Sequence, residues 1–142
     1  MALRNTGANI VTGESRSKFV DNIYMTDSEA AVKGRAYYLS SGRWTKSATT
    51  AAIEAICVKA ASAGTDVLTV MELVKTGDII EADYTGTADA AFLPGLSLAV
   101  LDANGDNVDA ATVTGGHGVI LEKDTVGLKV RMIVKKNFTE AS

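Results

Sequence analysis

An alternation of apolar and charged side chains near the carboxyl end constrains the fold more than any other feature of this sequence. The even positions from Leu128 to Val134 are apolar, and positions 129, 131 and 135 are cationic, with Ile133 as the exception. A period of two is typical of a β-strand that has one buried face and one wet face. The segment 128–135 therefore predicts a strand of a sheet that covers a hydrophobic core.

The rest of the chain predicts further short strands separated by turns, about eight or nine in all. The candidate segments, not all of which are counted as separate strands, are 18–25, 34–39, 43–45, a strand from about 54, 67–75, 78–84, 96–101, 107–110, 118–123 and 128–135. Short connections favour antiparallel pairing. The predicted fold class is therefore all-β, a small antiparallel β-barrel or sandwich with an extended N-terminal arm.

Turn residues suggest how some of these strands pair. Lys75-Thr76-Gly77-Asp78 predicts a hairpin between 67–75 and 78–84, and Asn104-Gly105 predicts a two-residue type I′ turn. Ser40-Ser41-Gly42 predicts a short hairpin between 34–39 and 43–45, and Asp124-Thr125-Val126-Gly127 is predicted to join the last two strands. Nearly every residue of 67–75 is apolar or β-branched, which predicts that both of its faces are covered.

The first 17 residues differ in composition from the remainder. They are rich in Asn, Thr, Gly and Ser, and Ile10 and Val11 form their main apolar pair. We predict an N-terminal arm over 1–17 and a single all-β domain over 18–142. The arm is either a frayed terminus or a segment that orders on a neighbouring subunit, since 17 extended residues reach roughly 50 Å.

Composition narrows the functional classes. A chain of 142 residues and 14.8 kDa suits one domain. The net charge of −3 argues against nucleic-acid binding, and no apolar run reaches the roughly 18 residues of a membrane span. Cys57 is the only cysteine, so no intrachain disulfide is expected, as for a protein made in a reducing cytoplasm.

No motif predicts catalysis, a cofactor or a metal ion, so we expect a protein that is not an enzyme. His117 is interpreted as a loop residue among glycines, and Cys57 as a small core residue. Asp102, Asn104 and Asp106 imitate the start of a calcium loop. The pattern fails where glycine and glutamate are needed, because Asn107 and Val113 stand there, which favours a hairpin turn.

Aromatic residues are concentrated between positions 37 and 44. Tyr37, Tyr38 and Trp44 lie near Arg35 and Arg43 in the sequence. They favour packing into the core, with a protein interface as the second interpretation because Tyr, Trp and Arg are enriched there. A stacking platform for single-stranded nucleic acid or sugar is the third.

Three groups of turn-and-strand segments between Arg35 and Val134, about two-thirds of the chain, carry a family resemblance. They are Gly34–Leu39 with Gly42-Arg43-Trp44, Val70–Ala82, and Ala91–Gly95 followed by Thr114-Gly115-Gly116 and Val119-Ile120-Leu121. The sequence resembles the small head-decoration, or cement, proteins of tailed bacteriophages. It departs from them in its polar N-terminal region and in a C-terminus that stops soon after the last strand.

The resemblance implies a structural virion protein on the capsid exterior, made in the host bacterial cytoplasm, that binds the major capsid protein and stabilises contacts between its subunits. It also implies a homo-oligomer, with a trimer favoured over a dimer. The expected contact regions are the arm and the loop 85–94, with interface anchors at Ile10, Val11, Tyr37, Trp44 and Phe92. The alternatives are a tail-tube or head–tail connector subunit, or a β-barrel that binds carbohydrate or single-stranded nucleic acid.

Overall fold

The computed structural model of the chain describes residues 19–47, 53–95, 101–116 and 118–135, together with the backbone of 9–12. Within these ranges the secondary structure consists of strands and turns without a helix, which confirms the all-β prediction. In chain order the strands are β1 (Asn9–Thr12), β2 (Phe19–Val20), β3 (Ala36–Ser40), β4 (Arg43–Lys46), β5 (Ala55–Lys59), β6 (Val70–Leu73), β7 (Ile79–Thr85), β8 (Val108–Asp109), β9 (Gly118–Asp124) and β10 (Lys129–Val134).

The strands form two sheets. Sheet A has the order β1-β7-β10-β9, and β8 pairs in parallel with the end of β7. Sheet B has the order β2-β6-β5-β3-β4 and all its strand pairs are antiparallel. The hairpins β3–β4 and β9–β10 confirm the two local pairings that the turn residues at 40–42 and 124–127 predict.

Sheet B closes on itself to make a small barrel. The segment around Tyr24 continues the line of β2 along β6, and its residues then reach the opposite edge strand, β4. Met25 donates its N–H to Val67 O at 2.8 Å, Trp44 donates to Tyr24 O at 3.0 Å, and Thr26 donates to Trp44 O at 2.9 Å. These bonds join both edges of the sheet into one ring, which satisfies main-chain groups that an open edge would leave exposed.

Two apolar cores follow from the alternation of side chains along the strands. In β5, Ala55 and Cys57 point into the barrel, whereas Ile56 points out of it towards sheet A. The barrel core is filled by Met25, Ala31, Tyr37, Trp44, Ala55, Cys57 and Met71. The larger second core lies between the sheets and includes Ile56, Val74, Ile80, Tyr84, Phe92, Val108, Ile120, Val130 and Met132.

The predicted hairpin between 67–75 and 78–84 is wrong, because these segments belong to different sheets. The turn itself forms: the Asp78 carboxylate accepts the Lys75 N–H at 2.9 Å. Beyond it, however, Gly77 donates to Val134 O and Val134 donates to Asp78 O, at 2.7 and 2.9 Å. These bonds direct the chain onto β10, so the turn transfers it from sheet B to sheet A.

The predicted type I′ turn at Asn104-Gly105 is also wrong. That turn needs positive φ at both residues, and Gly105 has φ +74° whereas Asn104 does not lie in the left-handed region. A six-residue loop, 102–107, instead connects the bridged pair Leu101 and Val108. The Asp102 carboxylate organises it by accepting the N–H groups of Asn104 and Asp106 at 3.0 and 3.2 Å. Residues 96–100 of the predicted preceding strand lie outside the described residues.

The predicted arm is partly a strand of the domain. Residues 9–12 form β1, which pairs antiparallel with β7 in the register Asn9–Glu81 and Ile10–Ile80. This corrects the prediction that 1–17 stands apart from the sheets; its other residues, 1–8 and 13–17, lie outside the described part of the chain. The polar composition hid the strand because it is only four residues long and a bulge interrupts its pairing with β7.

The prediction that Leu128 belongs to the buried face of the last strand is wrong as well. Val130, Met132 and Val134 are buried as predicted, but Leu128 is 51% exposed. It lies in the β9–β10 turn with φ +56°, before the alternating strand begins at Lys129.

Glu54 joins three strands of the barrel from a buried position just before β5. Its carboxylate accepts the Leu39 N–H at 2.9 Å, its own N–H donates to Tyr37 O, and its carbonyl accepts the Val74 N–H. Burial raises the pKa of Glu54, and the Leu39 N–H opposes this effect. The folded state therefore binds a proton more readily at this carboxyl than the unfolded state does.

Replacing Gly105 by alanine should be far more destabilising than the same change at Gly42. Both residues have positive φ, +74° and +78°, so each substitution costs about 1–2 kcal/mol of backbone strain. A Cβ at Gly105 would also collide with the Ser47 carbonyl oxygen, whereas one at Gly42 would meet nothing within 4 Å. We expect a loss of about 2–5 kcal/mol for Gly105→Ala, measured by urea unfolding; equal losses at the two sites would refute the close packing at Gly105.

The variant Glu54→Gln should raise Tm by a few degrees at pH 7, because it removes a buried charge and keeps an acceptor for the Leu39 N–H. Since the raised pKa makes the wild-type protein gain stability as pH falls, the difference should vanish once Glu54 is protonated in both states. Circular-dichroism melts at pH 7 and pH 4 test this. The matched control is Glu29→Gln, whose half-buried carboxylate also accepts a strand N–H, from Lys46; a similar gain there would contradict the explanation.

Candidate functional site

Three of the predicted interface anchors are buried inside the protein. Tyr37 and Trp44 fill the barrel core, and Phe92 lies in the core between the sheets with its ring centroid 5.0 Å from that of Tyr84. All three have no exposed surface. A side chain without accessible surface cannot contact a partner of the folded chain, so these three residues are wrong as interface anchors, and Tyr37 and Trp44 provide no stacking platform for bases or sugars.

The other two predicted anchors, Ile10 and Val11, belong to β1, and their side chains lie outside the described part of the structure. The predicted contact loop 85–94 is mostly exposed but is fastened to β9. Lys123 donates from Nζ to Phe92 O at 2.9 Å, and the Gly95 N–H just beyond the loop donates to Ile120 O at 2.8 Å. The loop thereby covers the outer edge of β9.

The residues considered for chemistry have structural surroundings. Cys57 is buried in the barrel, where desolvation raises the pKa of its thiol, and its Sγ lies 3.7 Å from Thr69 Oγ1. Asp106 forms a two-bonded ion pair with Arg35, at 2.8 and 3.2 Å, that ties the loop 102–107 to the barrel. His117 lies outside the described residues. Among those that are described, no three His, Cys, Asp or Glu side chains form a group able to hold a metal ion, and no helix could cross a membrane.

An exposed apolar stripe runs along the outside of the barrel where β2 and the Tyr24 segment pair with β6. Leu68 and Val70 lie on the face of their strand opposite to Met71, which points into the barrel. Phe19 and Tyr24 flank them from the neighbouring segment, 61% and 43% exposed, and Leu68 is 50% exposed. We call Phe19, Tyr24, Leu68 and Val70 the seam surface.

Arg43 borders one end of the seam surface in a fixed position. Its Nη1 donates to Met25 O at 2.9 Å and to Asp27 Oδ1 at 3.2 Å, and its Nη2 donates to Asp66 Oδ1 at 2.7 Å. The guanidinium carbon lies 5.3 Å from the centroid of the Tyr24 ring. Since the side chain is already ordered, little conformational entropy would be lost when a partner packs against Arg43 and Tyr24.

Carboxylates predominate among the described charged groups around the seam surface. Asp27 and Asp66 keep 54% and 52% of their side chains exposed, Asp21 is exposed, and Glu72 is the strand partner of Phe19. The cations there are Arg43 and Lys59, the latter paired with Val70. In the part of the chain that the structure describes, the surface is thus an apolar stripe with a rim of net negative charge.

The outer face of sheet A has a different character. Arg131 lies between Glu81 and Glu122 across three strands, and Lys129 lies in the same way between Asp83 and Asp124. Lys129 Nζ and Asp83 Oδ1 are 2.7 Å apart, and Arg131 Nη2 and Glu81 Oε1 are 3.6 Å apart. These rows of paired charges form a hydrated face, in contrast to the apolar seam surface.

Sequence reasoning did not identify the seam surface. The segment 67–75 predicts a strand covered on both faces, and 18–25 shows mixed polarity without a clear period. The excess of apolar residues in 67–75 was the signal in the sequence. It does not show which of these side chains sheet A buries and which remain exposed to solvent.

Comparisons with known proteins add no relative. No protein-family model matches this chain, and no curated protein matches it at a significant level. The functional proposal below therefore depends on the geometry and on the resemblance described above.

The variant Tyr37→Phe should lower stability by about 1–3 kcal/mol, because it removes a buried hydroxyl and leaves two partly buried main-chain groups without their partner. The Tyr37 hydroxyl donates to Ala30 O and accepts the Val32 N–H, both at 2.9 Å. Tyr38→Phe, on the opposite and half-buried side of β3, is the matched control and should change stability by less than about 0.5 kcal/mol.

The same residue predicts a pH dependence at alkaline pH. Burial raises the pKa of Tyr37 to about 12 from the ordinary 10.0. The unfolded chain therefore loses this proton first, and the stability that the group contributes is present below pH 10 and lost between pH 10 and 12. The Tyr37→Phe protein should lack this part of the alkaline loss; identical alkaline profiles for both proteins would contradict the assignment.

Proposed function

We propose that this chain is a structural virion protein that decorates the outside of a tailed-bacteriophage capsid and stabilises contacts between major capsid subunits. The observation that carries the proposal is the seam surface, an apolar stripe with an ordered arginine and tyrosine on an all-β protein. Aromatic and arginine side chains are the groups that most often dominate protein interfaces. The resemblance of residues 35–134 to head-decoration proteins supports the same function.

The construction of the barrel suits a protein that holds other proteins together. Its ring of main-chain hydrogen bonds resists deformation, and the turn 75–78 and the loop 102–107 are fastened to neighbouring strands. A rigid molecule loses little entropy when it binds. Many copies on one lattice also add up to strong attachment even where each contact is weak.

The partner in this proposal is the major capsid protein, and the site of action is the capsid exterior after synthesis in the bacterial cytoplasm. Self-association, as a trimer or as a dimer, belongs to the same proposal. A subunit of the tail tube or of the head–tail connector is the nearest alternative, because the seam surface could serve a contact in such an assembly as well.

Purified protein should co-sediment with empty shells assembled from the major capsid protein of the same phage, and saturated shells should lose integrity at a higher temperature than bare ones. The physical reason is that a ligand that binds the assembled shell stabilises it by mass action. Bovine serum albumin at equal concentration serves as the control. Absence of binding, or rings and tubes of the protein alone in electron micrographs, would contradict the decoration function and favour a connector or tail-tube subunit.

A further inference from the structure

The chemistry of the seam surface identifies the kind of partner that it fits. We infer that it docks onto an apolar patch edged by lysine or arginine on the shell, and that it is not a contact between two copies of this chain. This inference rests on the proposed function, because it takes the shell as the partner. It goes further by assigning the docking face and the charge of the partner.

The size of the stripe argues against a dimer formed through it. Partly exposed side chains of these kinds offer together roughly 300 Å² of apolar surface. A stable two-protein interface buries about 800 Å² on each partner. The seam surface therefore suits a contact that is weak for one molecule and effective on a lattice, where other contacts and many copies add to it.

The charge around the stripe argues against self-contact for a second reason. In a two-fold contact the same patch meets itself, so the acidic rim of one copy, which includes Asp21, Asp27 and Asp66, would face the acidic rim of the other. Like charges brought together at an interface cost free energy and discriminate against that partner. A partner with a basic rim would instead gain from the same carboxylates.

Arg43 does not reverse this preference. Its guanidinium is bound by Asp27 and Asp66 together, so one positive charge faces two negative ones within the cluster. An approaching carboxylate would have to compete with both, whereas an approaching lysine or arginine finds exposed carboxylate oxygens. The acidic rim would also steer a basic partner in solution, which makes association dependent on salt.

The stripe and the rows of paired charges lie on different sheets. The seam surface lies on the barrel, and the rows of paired charges lie on the face of sheet A that points away from the barrel. The β9–β10 turn, in which Val126 is 93% exposed, also belongs to sheet A. Residues of sheet A therefore provide controls that do not belong to the seam surface.

The test measures the affinity of wild-type and variant proteins for assembled shells, by sedimentation at about 50 and 300 mM NaCl. Leu68→Ser should bind about tenfold more weakly, which corresponds to about 1.4 kcal/mol, and Asp21→Lys should bind more weakly with a smaller salt effect. Each has a matched control on sheet A, outside the seam surface: Val126→Ser for the apolar change and Glu122→Lys for the charge change. Both controls should bind as the wild type does, and melting curves confirm that all four variants are folded.

The outcomes separate the two proposals. If the wild-type protein binds shells and Leu68→Ser and Asp21→Lys bind equally well, the seam inference is overturned and the decoration function stands. Loss of binding in Val126→Ser instead would assign docking to the β9–β10 turn and would also overturn it. If size-exclusion chromatography without shells shows a dimer that Leu68→Ser dissociates, a second copy is the occupant. If the wild-type protein binds no shells at all, the proposed function fails and the inference fails with it.

Discussion

The closure of sheet B by main-chain hydrogen bonds around Met25 and Trp44 is the constraint on which the rest of the structure depends. The closure places residues 24–26, which precede β3 in the chain, between β4 and the residues that lead into β6. This contact turns a five-stranded sheet into a barrel. A closed ring has an inside, and Trp44 and Tyr37 can be fully buried only because that inside exists. The Tyr37 hydroxyl, which donates to Ala30 O and accepts the Val32 N–H, then fixes the loop that follows the closing segment.

The barrel also determines where sheet A can pack. Ile56 and Val74 point out of the barrel on one side, and this side is covered by the apolar face of sheet A. The turn 75–78 directs the chain across to β7 at that place, and the hydrogen bonds with Val134 hold β10 beside it. A single strand therefore contributes to both cores: alternate residues of β5 point into the barrel core and into the core between the sheets.

Local patterns predicted the elements of this fold better than their partners. The alternation in 128–135 predicted the face of β10, and turn residues predicted the hairpins β3–β4 and β9–β10, because these contacts involve residues close in sequence. The ring closure joins Met25 to Trp44 and Val67, and the separation of β6 from β7 depends on partners far along the chain. No local periodicity of the sequence indicates the ring closure or the separation of β6 from β7. Tyr37 and Trp44 show the same limit, because their position in a strand was predictable and the cavity that they fill was not.

The seam surface lies where sheet A no longer covers the barrel. Val74, Val70 and Leu68 share one face of the strand that contains β6, since they are separated by even numbers of residues. At Val74 sheet A covers that face, whereas at Leu68, roughly 20 Å further along an extended chain, the same face is half exposed. The prediction of a strand covered on both sides thus holds at one end and fails at the other. Burial in the folded chain accounts for an apolar side chain at Val74 but not for those at Leu68, Tyr24 and Phe19, and contact with another protein is the physical role that exposed side chains of this kind can fill.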